Sequence, residues 1–318
     1  MEQRALGRSG IDVSRVILGC GNFGGIGSSP DFFGAGETEA EAHELLDAAW
    51  SAGITTFDTA DAYGGGRSET YIGTWLRAKG AAVRDRIVLT TKTFNPMHDG
   101  ADRGLSAPRI RRQLESSLAR LGVDAVDLYL AHEPDPATPL EETIGVLGEL
   151  RQEGKLRAFG GSNVDAGWLE EALVHGRVDW VQNAYSLLER GDEAGVLELC
   201  TLEGLGYTPF SPLAGGWLTG KYRRGEPPPE GSRMTLRPGP YEHLRNHRIF
   251  AALESFEEQA RERDTSPAAL ALAWALASPH VTAVVVGPRN PGQLRPALDA
   301  LELPLSPPER DTISKLVV

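Results

Sequence analysis

The stretch Thr38-Glu39-Ala40-Glu41-Ala42-His43-Glu44-Leu45-Leu46-Asp47-Ala48-Ala49-Trp50-Ser51-Ala52-Gly53-Ile54-Thr55-Thr56-Phe57-Asp58 contains one helix, one stop and one strand in immediate succession. Thr38 and Glu41 stand three apart as a capping box, in which each side chain satisfies a backbone N–H at the helix start. Ala42, Leu45, Leu46, Ala49 and Trp50 then fall on one face at helical spacing, and Gly53 ends the segment. Ile54–Phe57 follows as a short β-branched run with no polar alternation, which reads as a strand buried on both faces.

The same unit recurs on either side. Apolar runs at Val16–Leu18, Ile87–Thr91, Val126–Leu130, Leu156–Phe159, Val178–Val181, Leu205–Phe210 and Ala283–Val286 complete a set of eight strands with Ile54–Phe57. Helical stripes lie between them: Ile110, Leu114, Leu118 and Leu121 end at Gly122, while Thr138-Pro139 and Ser266-Pro267 open two more helices. Parallel neighbours require a crossover, normally a helix, so strand–helix alternation implies a parallel sheet. Eight units within 318 residues favour closure into a single (β/α)8 TIM barrel spanning residues 1–318. Two segments fall outside the units. Arg4–Ser14 reads as an N-terminal β-hairpin turning at Arg8-Ser9-Gly10, and Arg223–Tyr241, with Pro227-Pro228-Pro229, as a long loop after strand seven. A competing fingerprint, Gly19-Cys20-Gly21-Asn22-Phe23-Gly24, fits G-x-G-x-x-G, but Gly25-Ile26-Gly27-Ser28-Ser29-Pro30 cannot open the helix that a Rossmann unit needs.

Composition narrows the function. Net charge −12 with interleaved signs argues against nucleic acid or an anionic membrane as partner. Two distant cysteines give neither a disulfide framework nor a thiolate metal cluster. The polar start Met1-Glu2-Gln3-Arg4 carries no leader pattern, so a cytoplasmic protein is expected. His243 and His247 stand at helical metal-pair spacing without a glutamate after the first; they read as a surface helix face, and no metal is expected.

In such a barrel the chemistry sits at the C-terminal strand ends. There, strand two runs into Asp58-Thr59-Ala60-Asp61-Ala62-Tyr63-Gly64, strand three ends at Lys92 and strand four at His132. Taken singly, each has a plain structural role: an Asp–Lys pair within the core, a packed tyrosine, a hydrogen-bonded histidine. Together they form a proton-handling group. A phenol with an ordinary pKa of about 10 donates poorly at neutral pH. An adjacent ammonium stabilises the phenolate, and Asp58 keeps Lys92 charged. Tyr63 is thereby a candidate general acid and His132 a candidate orienting donor.

These motifs, in this order, resemble the aldo-keto reductases. Phe57-Asp58-Thr59-Ala60-Asp61-Ala62-Tyr63-Gly64 is similar to the family signature, Thr90-Thr91-Lys92 and Leu130-Ala131-His132 to its other two catalytic positions, and the likeness runs from Leu6 to Leu294. The resemblance implies a nicotinamide cofactor and reduction of an aldehyde or ketone. It places Ser162, Asn163 and Gln182 on the carboxamide, and Phe210, where the family usually has tyrosine, against the ring. Ser211, Pro212, Leu213, Gly215, Leu218 and Lys221 would follow the pyrophosphate, with Gly21 and Asn22 as neighbours at the mouth. Gly287, Arg289 and Gln293 fall at the adenosine end, with Arg289 meeting a 2′-phosphate, so NADPH is the expected cofactor. Pro296 and Ala297 stand where the family often has an acid and an asparagine. Phe23, Phe32, Phe33 and Trp217 are candidates for an apolar substrate wall. A sugar or nucleotide-sugar ketone is one substrate class the resemblance allows, and a monomer is the state it favours. A different reading, a cofactor-binding sensing or channel-associated subunit with little turnover, predicts binding without consumption of NADPH.

Overall fold

The structure, a computed structural model, describes residues 1–317. Ten strands occur among them: β1 Gln3–Ala5, β2 Asp12–Ser14, β3 Val16–Gly19, β4 Thr56–Asp58, β5 Val88–Thr93, β6 Val126–Ala131, β7 Leu156–Ser162, β8 Trp180–Gln182, β9 Gly206–Tyr207 and β10 Val284–Val286. β1 and β2 pair antiparallel as the expected hairpin. The other eight form one parallel sheet in the order β10-β3-β4-β5-β6-β7-β8-β9. Its two ends meet: Thr282 N–H donates to Tyr207 O at 2.8 Å and Val285 N–H to Pro209 O at 2.9 Å. Helices on the outside complete a (β/α)8 barrel.

Side-chain alternation explains how the barrel fills. Ile17, Leu128, Leu130, Ala158, Trp180 and Val285 point inward and form one apolar cluster with Leu6, Ile11 and Val13 of the hairpin segment. The hairpin therefore plugs the barrel at the N-terminal strand ends and leaves the opposite mouth for function. The larger cluster packs strand residues such as Phe57 and Tyr129 against helix stripes including Leu45, Leu46, Leu114 and Leu118. The plug sits hard against the sheet. Gly7 has φ +51°, and a Cβ there would lie 2.2 Å from Gly206 N. Gly7→Ala is thus expected to lower stability by about 2–4 kcal/mol, through backbone strain and overpacking together, as read from a denaturant melt.

Boundaries moved where a local residue overrode the pattern. The strand expected at Ile54–Phe57 pairs over Thr56–Asp58, because Ile54 N–H is still tied to Ala49 O by the helix stop. The run Leu205–Phe210 supplies only two ladder residues in β9; Pro209 has no N–H to donate, and Phe210 rejoins β8's continuation as an isolated bridge to Ala184. The helix expected to be capped by Thr138 has Pro139 at its N-cap, since the Thr138 hydroxyl donates to Asp135 Oδ2 instead. Thr38–Glu41 does form the capping box, and Ser266 caps its helix through Ala269 N–H. The Arg223–Tyr241 segment is not structureless: Arg233–Leu236 forms a helical turn over buried Met234, and a 3-10 turn spans Gly239–Leu244. His243 lies in that turn and His247 opens the next helix, so the two do not share a helix face.

Candidate active site

β4 delivers Asp58 to the mouth, and the loop after it is pinned before Tyr63 is reached. Thr59 N–H donates to Thr90 O and Asp61 N–H to Lys92 O, extending the β4–β5 pairing beyond the strand. The Ser68 hydroxyl holds Cys20 O at 2.9 Å. Gly64, Gly65 and Gly66 all have positive φ, and a Cβ on Gly64 would strike Phe23 O at 2.6 Å. Only glycine lets the chain turn there so tightly against the β3 loop.

β5 brings Lys92 to Asp58 and Tyr63. Its ammonium donates to Asp58 Oδ2 at 2.7 Å, to Thr59 O at 2.9 Å and to Tyr63 Oη at 3.4 Å. Asp58 Oδ1 accepts from Gln182 Nε2 at 3.0 Å, so both carboxylate oxygens are satisfied. The lysine is 1 % exposed. Burial is the largest single influence and works to lower its pKa, but the Asp58 carboxylate and the Tyr63 oxygen together outweigh it, and Lys92 stays charged. Tyr63 goes the other way from the expectation. Burial raises its pKa more than Lys92 lowers it, with the Asp58 charge adding to the rise. The phenol therefore holds its proton at neutral pH, and the ammonium matters when that proton leaves. β6 adds His132, whose ring stands edge-on to Tyr63 with centroids 5.5 Å apart. Burial, then the Lys92 charge, pushes its pKa well below 6.5, so the imidazole is neutral. Its Nδ1 is buried without a hydrogen-bond partner.

Around this group lie the residues expected at a nicotinamide. Ser162 ends β7 in register with Gln182 on β8. Asn163 adopts a left-handed φ of 58° and its Nδ2 donates to His132 O at 2.9 Å. A Cβ on Gly21 would meet the Tyr63 ring at 3.5 Å, which places that backbone beside the phenol. Phe210 is half-buried at the mouth, joined to Ala184. Ser211, φ 53°, shares a hydrogen bond of 2.8 Å with the Tyr241 hydroxyl, and the Tyr241 ring covers Gly215. Pro212 and Leu218 are buried and Leu213 is half-buried along the same segment.

Farther out is a cluster of cations. Lys221 is depressed by burial and by the charges of Arg233 and Arg289; Arg233 is depressed by burial and by Arg237 and Arg289. Arg233 also donates to Asn22 Oδ1 at 3.1 Å, Arg237 to Ile26 O at 3.1 Å and Arg289 to Gly231 O at 3.2 Å. The segment after β9 thus spans from the end of β3 to the loop after β10. Asn22 Nδ2 reaches Gly287 O at 3.5 Å, and Gln293 Oε1 accepts from Arg289 N–H at 2.8 Å. Exposed Lys221 and half-buried Arg233 and Arg289, mutually repelling cations, suit a polyanion such as a pyrophosphate with a further phosphate.

Some residues were missed or misplaced by sequence reasoning. Arg233 was hidden in a loop whose helical turn no periodicity announced. Glu37, paired to Arg289 at 2.7 Å, lies 252 positions away from it. Of the proposed substrate wall, Phe23 and Trp217 are core residues, 1 % and 2 % exposed, because Phe23 packs under the glycine turn and Trp217 against Tyr222 and Phe250. Phe32 is half-buried beneath Arg237, and Phe33 lies against Gly65.

Residues 15–318 match the model of the Aldo/keto reductase family. The chain is 38% identical to the uncharacterized oxidoreductase YrpG of Bacillus subtilis, over 96% of this chain and 92% of that protein. It is 33% identical to the NADH-specific methylglyoxal reductase of Escherichia coli, over 96% and 95%. Among solved structures, the glycerol dehydrogenase AKR11B4 from Gluconobacter oxydans superposes with a TM-score of 0.83 at 27% identity, covering 99% of this chain and 94% of that one.

Proposed function

The chain belongs to the aldo/keto reductase family, and we propose that it reduces an aldehyde or ketone to an alcohol, with NADPH as its preferred cofactor and Tyr63 as general acid. The observation that carries this reading is the Lys92 ammonium, buried at the mouth and in contact with both Asp58 Oδ2 and Tyr63 Oη. When bound, the nicotinamide supplies the hydride for the carbonyl carbon. Ser162, Asn163 and Gln182 hold the carboxamide, and the aromatic face of Phe210 supports the ring.

The residues of this chain handle the proton. The carbonyl oxygen of the substrate accepts a hydrogen bond from Tyr63 Oη and one from the neutral His132 imidazole, which fixes it at the mouth. As negative charge grows on that oxygen, Tyr63 releases its proton to it. Lys92 stabilises the phenolate left behind, and Asp58 keeps the ammonium charged and aimed. The alcohol direction runs the same transfer in reverse.

Lys221, Arg233 and Arg289 support a dinucleotide with a 2′-phosphate, Arg289 meeting that phosphate. NADH-specific use by the Escherichia coli relative makes cofactor choice a property to be measured. Arg289→Ala is expected to raise the Kd for NADP+ about tenfold or more while changing that for NAD+ little, as read by calorimetric titration. Equal losses for both cofactors would refute the assignment. Among the described residues no helix is long and apolar enough to cross a membrane. A cytoplasmic monomer acting on small carbonyl compounds, a sugar or nucleotide-sugar ketone among them, completes the proposal. NADPH consumption across a panel of aldehydes, ketones and keto-sugars tests it; binding without turnover on every substrate would favour a sensing subunit instead.

A further inference from the structure

We propose that Glu37 is a specificity residue for the cofactor: its carboxylate competes with a 2′-phosphate for Arg289 and lets the site accept NADH as well as NADPH. The inference rests on Arg289 lying at the adenosine 2′ position, as argued above. Glu37's side chain is 3% exposed, and its Oε1 accepts from Arg289 Nε at 2.7 Å. Its second oxygen, Oε2, is buried with no hydrogen-bond partner. A buried acceptor left without a donor is costly, and the same carboxylate holds, through Oε1, the guanidinium assigned to the cofactor.

The two cofactors differ at one group, and that group meets these atoms with opposite consequences. A ribose 2′-hydroxyl is a donor and satisfies Oε2. A 2′-phosphate has no proton to spare at neutral pH, gains from Arg289 and is repelled by Glu37. Acid-to-hydroxyl and arginine-to-phosphate contacts are the usual separate solutions for the two cofactors. Here both kinds of group are present and in contact.

Glu37 cannot simply swing its backbone away. Its N–H donates to Asn22 O at 2.9 Å, and its carbonyl accepts from Gly24 N–H at 2.8 Å. The preceding Gly36 is pressed so closely to the β3 loop that a Cβ would lie 1.9 Å from Asn22 O. Burial raises the Glu37 pKa against the pull of Arg289, in keeping with a carboxylate short of donors. Arg289 itself is half-exposed at 37%, so part of its fork remains open to a ligand.

The test is calorimetric titration of NADP+ and NAD+ into the full-length protein and its Glu37→Gln variant. The ratio Kd(NAD+)/Kd(NADP+) is expected to rise about tenfold in the variant, chiefly because NADP+ binds more tightly. An unchanged ratio, or a fall caused by weaker NADP+ binding, would overturn the proposal and leave Glu37 as a mere holder of Arg289. Arg289→Ala separates this from failure of the parent reading. If that variant leaves the ratio unchanged, the 2′ assignment itself is wrong. If it lowers the ratio while Glu37→Gln does not raise it, only the Glu37 inference fails. A second measurement needs no variant: the wild-type protein should prefer 2′,5′-ADP over 5′-AMP by less than about tenfold, whereas about 100-fold or more would contradict a competing carboxylate.

Discussion

Tyr63→Phe is expected to lower kcat by about 10²–10⁴-fold while leaving the Kd for NADP+ within about twofold of wild type. The substitution removes one oxygen from a residue whose ring is held by the glycine turn and by edge contact with His132, so the wall of the site survives. The donor of the proton does not survive. Lys92 then faces a ring with no oxygen to stabilise, although it keeps its bonds to Asp58 and Thr59 O. His132 cannot replace the acid easily, since burial and the nearby ammonium keep it neutral. Steady-state rates at saturating cofactor, with cofactor affinity measured separately, distinguish loss of the acid from loss of the site.

Lys92→Met is expected to act on both chemistry and stability. The variant keeps a long apolar stem but deletes the charge that answers Asp58 within the barrel. A buried ion pair broken from one side commonly costs about 3–5 kcal/mol, because the remaining charge is uncompensated. Gln182 still donates to Asp58 Oδ1, which places the loss toward the lower end of that range. Turnover should fall by about 10²-fold or more, since the developing phenolate loses its counter-charge. Combining Lys92→Met with Asp58→Asn should recover most of the stability and none of the rate. Recovery of rate in the double variant would show that the lysine serves packing alone.

Much of this was visible in the residues. Capping by Thr38, the stop at Gly53 and the buried runs that follow repeat often enough to imply the barrel, because a parallel sheet cannot form without intervening helices. The catalytic group was legible because three consecutive strands each end in a chemically active residue. What sequence reasoning could not supply was the sign of competing effects. Lys92 alone suggests a lowered phenol pKa, yet the burial of Tyr63, which only the folded packing shows, outweighs it. The turn carrying Arg233 was equally hidden, being short, flanked by prolines and stabilised by contacts to Asn22 and buried Met234 rather than by a periodic face. Pairing across 252 positions, as between Glu37 and Arg289, leaves no local trace. Aromatic side chains mislead in the same way: Trp217 follows two glycines at the mouth, but its ring packs inward on Tyr222.

On the proposed reading, the Asp58–Lys92–Tyr63 group delivers a proton to a carbonyl oxygen during reduction by a bound nicotinamide. The most direct test is NADPH oxidation with 4-nitrobenzaldehyde by wild type and Tyr63→Phe, at cofactor concentrations saturating for both. Clear turnover by wild type is expected, with a loss of about 100-fold or more in the variant and NADP+ bound equally well. Wild-type-like turnover by Tyr63→Phe would contradict that reading.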